Sequence, residues 1–297
     1  MSRVLVAPVS FGLGDLVVSL PAVQALVAQQ APVWLVARAP SQELLAERIL
    51  GLAGVVAEGS VACGPADRLI DLRDHPLQRD FWWGSPAFEA AYGALDINDI
   101  LGQICSDLGI EAEFGRPEAL LTHPRPGLEG TILLVHETDG AGKRWPDDSW
   151  AAVAASLRAD GHAVAHVTRQ AGPSALSALG IPPLVLPTPG DAVDALTACS
   201  GVIGVDTGLT HIAAQQGTPT VTVCRDSSVY FRPWPHCRVL RGDRCTADCV
   251  AAEASYAYHD RVSLDGFQPS SSGCPSGSPC LAAARPEAAL VLLRALL

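Results

Sequence analysis

Short, wholly apolar runs alternate along the chain with longer stretches in which apolar positions return at helical spacing. Arg3 to Val9 reads as a strand and Leu16 to Gln29 (LVVSLPAVQALVAQ) as a helix. Pro32 to Ala37 is a second strand, Ser41 to about Leu50 a helix, Arg68 to Leu72 another strand and Asp96 to Gly109 another helix, with an aromatic loop at Phe81-Trp82-Trp83. The run EFGRPEALLTHPRPGLEG, dense in proline and glycine, then reads as a connection. Alternation resumes with strands at Thr131 to His136, His162 to Thr168, Leu184 to Leu186, Gly201 to Val205 and Thr220 to Cys224. Helices are expected at Asp148 to Ala159, Asp191 to Ala198, from about Thr207 or Gly208, and, as an amphipathic ending, Arg285 to Leu297.

Strands that alternate with helices imply parallel pairing through helical crossovers. The expected architecture is therefore α/β, with an N-terminal unit over residues 1–125 and a C-terminal unit over 126–297, the latter carrying an insert at 240–282. In such sheets ligands sit beyond the carboxyl ends of the strands, where the loops 10–15, 137–146 and 206–211 all fall. No repeat of solenoid period is present.

Composition narrows the chemistry. The chain has 297 residues, 48% hydrophobic and 17% charged, with a formal charge of −11. That balance fits globular units and argues against general affinity for nucleic acid or an anionic membrane, so any phosphate site must be local. No apolar run reaches the length of a membrane span, and the chain is expected to be cytoplasmic. Of twenty basic residues only Lys143 is lysine, and it lies in a glycine loop. A compact ammonium there is not interchangeable with a guanidinium fork.

Three loops carry the candidate chemistry. In Gly201 to Pro219 (GVIGVDTGLTHIAAQQGTP) a strand turns sharply into a helix. Asp206 or Thr207 is placed to cap it, Gly208 and Leu209 begin it, and His211 follows Thr207 by about one turn. Bare first-turn amides there form an anion site, although an ordinary capped helix with a packed histidine fits the local pattern equally. The loop Thr138 to Pro146 (TDGAGKRWP) lacks the GK[ST] of a Walker sequence but joins a hydroxyl, flexible backbone and the lone lysine. Those groups can hold a diphosphate without metal, or belong to a solvated loop. In Ser10 to Asp15 (SFGLGD), Val17 stands where a dinucleotide fingerprint needs its third glycine. Gly12 and Gly14 would then let a substrate approach, with Asp15 as either a reactive carboxylate or a helix N-cap. No Asp-x-Asp pair is present to hold a metal on a diphosphate.

The ordered blocks GLGDLVVSLPAVQAL, H-x-T-x4-KRWP and GVDTGLTHIAAQQGTP, with CPSGSPCL near the end, resemble the heptosyltransferase-type glycosyltransferases of family 9. The resemblance spans the chain but is specific in those blocks. It implies a GT-B fold of two facing Rossmann-like domains, with the acceptor on the N-terminal one, the nucleotide sugar on the C-terminal one and the site in the cleft. It further implies inverting transfer without a metal, commonly from ADP-heptose. Matched position by position, Asp15 takes the place of the catalytic base, and Thr138 and Lys143 of the diphosphate ligands. Asp206 matches the carboxylate that reaches the sugar, while Thr207, Gly208, Leu209 and His211 match the turn that closes on the phosphates.

The N-terminal half has few basic residues for a heavily phosphorylated lipid acceptor, and no acidic residue falls between Gly161 and Gly190. A small molecule or natural product offering a hydroxyl or amine is as compatible with the sequence as lipopolysaccharide. A nucleotide-sugar epimerase of GT-B fold and a non-catalytic nucleotide-sugar-binding protein are the alternatives. Cys245, Cys249, Cys274 and Cys280 frame a Ser/Gly/Pro-rich segment. Free thiols, a structural zinc site or disulfides all remain open, because neither spacing is the usual C-x2-C.

Overall fold

A computed structural model of the chain describes residues 2–29, 32–79, 95–117, 120–123, 125–138, 143–224, 231–242 and 279–297. The aromatic loop at 81–83 and Cys245, Cys249 and Cys274 lie outside these residues. Cys280 lies within them, half-buried in a short helix at Pro279–Ala282.

Two parallel sheets organise the molecule. The first contains β1 (Val4–Ala7), β2 (Val33–Ala37), β3 (Gly54–Ala57) and β4 (Arg68–Asp71) in the order β3-β2-β1-β4. Its register sets Val4 opposite both Val33 and Arg68. The second contains β5 (Thr131–Val135), β6 (Ala163–Thr168), β7 (Pro183–Val185), β8 (Gly201–Val205), β9 (Thr220–Cys224) and β10 (Cys237–Arg241). Its order is β10-β9-β8-β5-β6-β7. Every residue of β5, β8 and β9 is buried, which is why they read as continuous apolar runs rather than alternating ones.

The crossovers are helices. In the first half α1 (Leu13–Gln29), α2 (Pro40–Ala46), α3 (Pro76–Arg79) and α4 (Ile97–Asp107) follow in order. In the second half come α5 (Asp147–Ala159), α6 (Ala175–Ala178), α7 (Pro189–Ala198), α8 (Gly208–Gln215) and, at the end, α9 (Pro286–Arg294). Local capping marks several starts. The Asp96 side chain accepts from the Asn98 and Asp99 amides at α4, and Thr188 forms a reciprocal box with Asp191 at α7. Leu16, Leu20 and Leu26 on α1 are fully buried, each worth about 1.5–3 kcal/mol relative to exposure.

Several sequence expectations need correction. β3 and β10 carry no pattern of their own strong enough to be read, since GVVA and CRVLR are short edge strands defined by pairing with β2 and β9. Helix α2 ends by Glu47, short of Leu50. Neither Asp206 nor Thr207 caps α8: Thr207 occupies the N-cap position without a side-chain capping bond, and the Asp206 carboxylate is engaged by Lys143. Asp15 is not the N-cap of α1 but its third residue. The final helix packs on its own half, its buried Ala289, Leu290 and Leu293 joining the core around Ile132, Trp150 and Ile203.

The halves are continuous in the middle. One apolar cluster joins Val6, Leu16 and Leu20 to Leu133, Val167, Val193 and Ile212. Polar clasps surround it. Arg48, in the turn just after α2, meets Asp194 on α7 through two bonds of 2.9 Å, and Asp194 also accepts from the His123 amide at 2.6 Å. Arg232 is buried, donates to the Asn98 side chain at 2.9 Å and to the Val18 carbonyl, and lies over the rings of Phe114 and Trp234. Burial lowers its pKa to about 10.

Candidate active site

The strand order in each sheet reverses beside its first strand, between β1 and β4 and between β5 and β8. Crevices at such switch points receive ligands. The loops leaving β1, β5 and β8 bring Asp15, Lys143, Asp206 and His211 into one electrostatic cluster. The first turns of α1 and α8 meet there at glycines. A Cβ on Gly208 would lie 2.8 Å from the Leu13 Cβ and 3.0 Å from the Gly14 amide nitrogen. A Cβ on Gly14 would lie 2.8 Å from Cδ2 of His211. Glycine suits both positions, because a side chain at 208 would press on the start of α1 and one at 14 on the His211 ring.

Asp15 sits at the third position of α1, where its carboxylate accepts the Gly12 amide at 2.8 Å. The loop carrying it is held from behind. The buried Gln42 side chain donates to the Ser10 and Gly12 carbonyls at 2.9 Å each and accepts from the Arg38 amide. Arg38, itself buried, pairs with Glu58 and Asp71 and lies over the Phe11 ring. Burial raises the Asp15 pKa, while the Gly12 amide, His211 and Lys143 pull it down in part.

Asp206 is the opposite case. Its burial would also raise the pKa, but Lys143 and His211 outweigh that, and the carboxyl is held well below the usual range. Lys143 Nζ lies 2.6 Å from one carboxylate oxygen and His211 Nε2 3.6 Å from the other. The His211 ring is stacked on Phe231 at 4.1 Å between centroids and 10° between planes. This fixes the direction in which its nitrogen points. The lysine, the aspartate and the histidine come from two separate loops, and their union exists only in the fold.

The donor-loop residues divide. Thr138, half-buried, lies three residues past β5, and Lys143 five residues further on. Thr207, Gly208 and Leu209 open α8, whose first amides have no side-chain cap. Their partial positive charge is thus available to an anion beside Lys143. Gln42, Phe231 and Glu137 were not singled out by the sequence. Glu137 had a signal, being an acid set directly after an apolar strand. Gln42 and Phe231 had none, since their contacts are with distant segments. No group of three or more His, Cys, Asp or Glu able to hold a metal occurs among the described residues. No helix among them is long and apolar enough to cross a membrane.

Two facing Rossmann-like units with a charged cleft between them define the GT-B class, and comparison with solved structures agrees. The chain is similar to a glycosyl transferase family 9 protein of Veillonella parvula, at 15% identity over 99% of this chain and 97% of that one, with a TM-score of 0.67. It is similar to E. coli ADP-heptose lps heptosyltransferase II, at 18% identity over 100% and 98% of the chains, with a TM-score of 0.56. It is also similar to TibC, an iron-containing dodecameric glycosyltransferase of enterotoxigenic E. coli, at 15% identity over 99% and 75%, with a TM-score of 0.63. A comparison with curated proteins finds no match. The family description "Glycosyltransferase family 9 (heptosyltransferase)" matches residues 181–256, the segment that holds Asp206 and His211. The chain has the GT-B fold along its length and is similar to glycosyltransferase family 9 over residues 181–256.

Proposed function

We propose that the protein is an inverting, metal-independent transferase that moves a heptose from ADP-heptose to a hydroxyl or amine of a small acceptor. The observation that carries this reading is the pair of unlike aspartates in the cleft: Asp15, half-buried, accepts the Gly12 amide at 2.8 Å and has its pKa raised, whereas Lys143 at 2.6 Å and His211 at 3.6 Å hold Asp206 ionised. In this reading the N-terminal unit, residues 1–125, takes the acceptor and the C-terminal unit, 126–297, the donor. ADP-heptose is the donor named for the E. coli heptosyltransferase II of the same fold.

The chemistry follows from the groups present. The acceptor approaches over Gly12 and Gly14, and Asp15 takes the proton from its nucleophilic atom as that atom attacks the anomeric carbon. The new bond forms on the face opposite the bond to the diphosphate, which breaks with its electron pair leaving on ADP. One displacement inverts the anomeric configuration. Charge growing on the leaving group meets Lys143, the Thr138 hydroxyl and the amides of Gly208 and Leu209, groups already in place before reaction. Lys143 leaves its contact with Asp206 for the phosphates, which frees that carboxylate to accept sugar hydroxyls. The Lys143 ammonium and the start of α8 thereby do what a divalent metal does elsewhere.

The test is turnover of ADP-heptose against a panel of hydroxyl and amine acceptors, followed as ADP release, with and without EDTA. Acceptor-dependent ADP release that survives EDTA is the expected result. Activity lost in EDTA and restored by a divalent metal would remove metal independence, and the iron of TibC makes that comparison pointed. Absence of binding to any nucleoside diphosphate would remove the donor assignment itself.

A further inference from the structure

We propose that Glu137 reads the 2′,3′-diol of the donor's ribose and so restricts the donor to ribonucleoside diphosphates. The proposal rests on the nucleotide-sugar reading of the cleft and goes beyond it by naming the residue that reads the nucleoside's sugar.

Topology supplies the first argument. Numbered within its own half, the second sheet runs third-second-first-fourth-fifth-sixth strand, the doubly wound order. In that arrangement phosphates lie at the crevice between the first and fourth strands. The ribose lies toward the end of the second, where a carboxylate takes its hydroxyls. Here the first, fourth and second strands are β5, β8 and β6. The end of β6 is Thr168-Arg169-Gln170, and the chain offers no acid from Gly161 to Gly190. Judged by its own residues, the second strand lacks the group that should be there.

Geometry supplies the second. Glu137 is encoded two residues after β5, yet its carboxylate is seated on the end of β6. One oxygen accepts the Thr168 hydroxyl at 2.7 Å and the other the Arg169 amide at 3.3 Å. The position left without an acid on β6 is thus filled from the neighbouring strand. Thr168 is buried, whereas the contact to the Arg169 amide is exposed. An ionised carboxylate offers about four acceptor directions, and these two bonds occupy two of them. The remaining pair is the right complement for adjacent hydroxyls.

Position along the chain supplies the third. Thr138 follows Glu137 directly and opens the loop to Lys143, so one short segment would touch both ribose and diphosphate. Neighbouring strands are about 4.8 Å apart. That is the scale of the step from a phosphate over β5 and β8 to a ribose over β5 and β6. A 2′-deoxy sugar, as in thymidine donors, leaves one acceptor of a charged group unmatched.

The experiment is calorimetric titration of ADP against 2′-deoxy-ADP, and of the corresponding UDP and GDP pairs, into the wild-type chain, Glu137→Ala and Thr168→Val. The account expects the wild type to prefer the ribonucleotide by about tenfold to a hundredfold, the range for a hydrogen bond to a charged group. Glu137→Ala should bind both members of a pair equally, and no more tightly than the wild type binds the deoxynucleotide. Thr168→Val, which loses the hydroxyl that orients the carboxylate, should fall between. Equal binding of ribo- and deoxynucleotides by the wild type would overturn the proposal without reference to any variant's folding. Discrimination that persists in Glu137→Ala would overturn it as well. If no pair binds the wild type at all, the donor reading fails first and takes this proposal with it.

Discussion

Asp15 and Asp206 come from the two halves, Asp15 from the first turn of the helix that follows β1 and Asp206 from the turn directly after β8. Their surroundings push them apart. Asp15 meets the Gly12 amide, and His211 and Lys143 only in part offset its desolvation, so the proton is held more tightly. Asp206 meets an ammonium at 2.6 Å and an imidazole at 3.6 Å, so the charge is held instead. Two carboxylates set apart in this way mark a division of labour: one exchanges a proton, the other stays anionic. The difference arises in the partners, since the residue type is the same and both sites are desolvated.

The sharpest way to break the comparison is Asp15→Asn. Asparagine keeps the size and can still accept the Gly12 amide, so the fold should hold. Transfer should fall by roughly 10²–10⁴, the usual worth of a positioned base, with donor affinity by calorimetry unchanged. A variant that turns over within a few-fold of the wild type would place the base elsewhere.

Lys143→Ala comes next, because it removes the feature that makes the second aspartate unlike the first. Loss of one preorganised charge stabiliser costs about 10²–10³ in kcat, and donor binding should weaken too. Both aspartates should also titrate higher, since Lys143 lowers both. Unchanged donor affinity and turnover would refute the role of this lysine.

Gly208→Ala is smaller in effect and tests the distance between the two sites. Its Cβ would press on the Leu13 Cβ and the Gly14 backbone, an overpacking cost of about 1–3 kcal/mol in a thermal or urea melt. Activity should fall more than stability, because the turns bearing the two aspartates are forced apart. A variant that melts and turns over like the wild type would show that the close approach is dispensable.

How much of this was legible beforehand depended on range. The turn Gly201 to Gln215 was readable because strand, turn and helix each carry a local pattern, and β8 and β9 fall where the apolar runs place them. Thr188 and Asp191 likewise announce α7. β3 and β10 were not readable, since four or five ordinary residues become strands only beside a partner. The pairing of Lys143 with Asp206 joins residues in separate loops, and the Arg48–Asp194 clasp spans 146 positions. Asp206 or Thr207 was expected to cap the helix because local geometry allows either. The lysine, invisible from that window, wins the carboxylate through charge. Glu137 lay in plain view, but its seat on β6 required knowing that β5 and β6 are neighbours.

The two aspartates also give opposite dependences on pH. Asp15, raised, adds stability below its unfolded pKa, and this is lost as pH rises through the folded value. Asp206, lowered, adds stability above its unfolded pKa, and this is lost as pH falls toward the folded value. The most direct measurement is therefore the NMR titration of the two side-chain carboxyl carbons in the ligand-free protein, assigned with Asp15→Asn and Asp206→Asn. The account predicts that Asp15 titrates above the ordinary aspartate value of about 3.9 and that Asp206 stays ionised well below it. An Asp15 that titrates at or below Asp206 would contradict the assignment of the base.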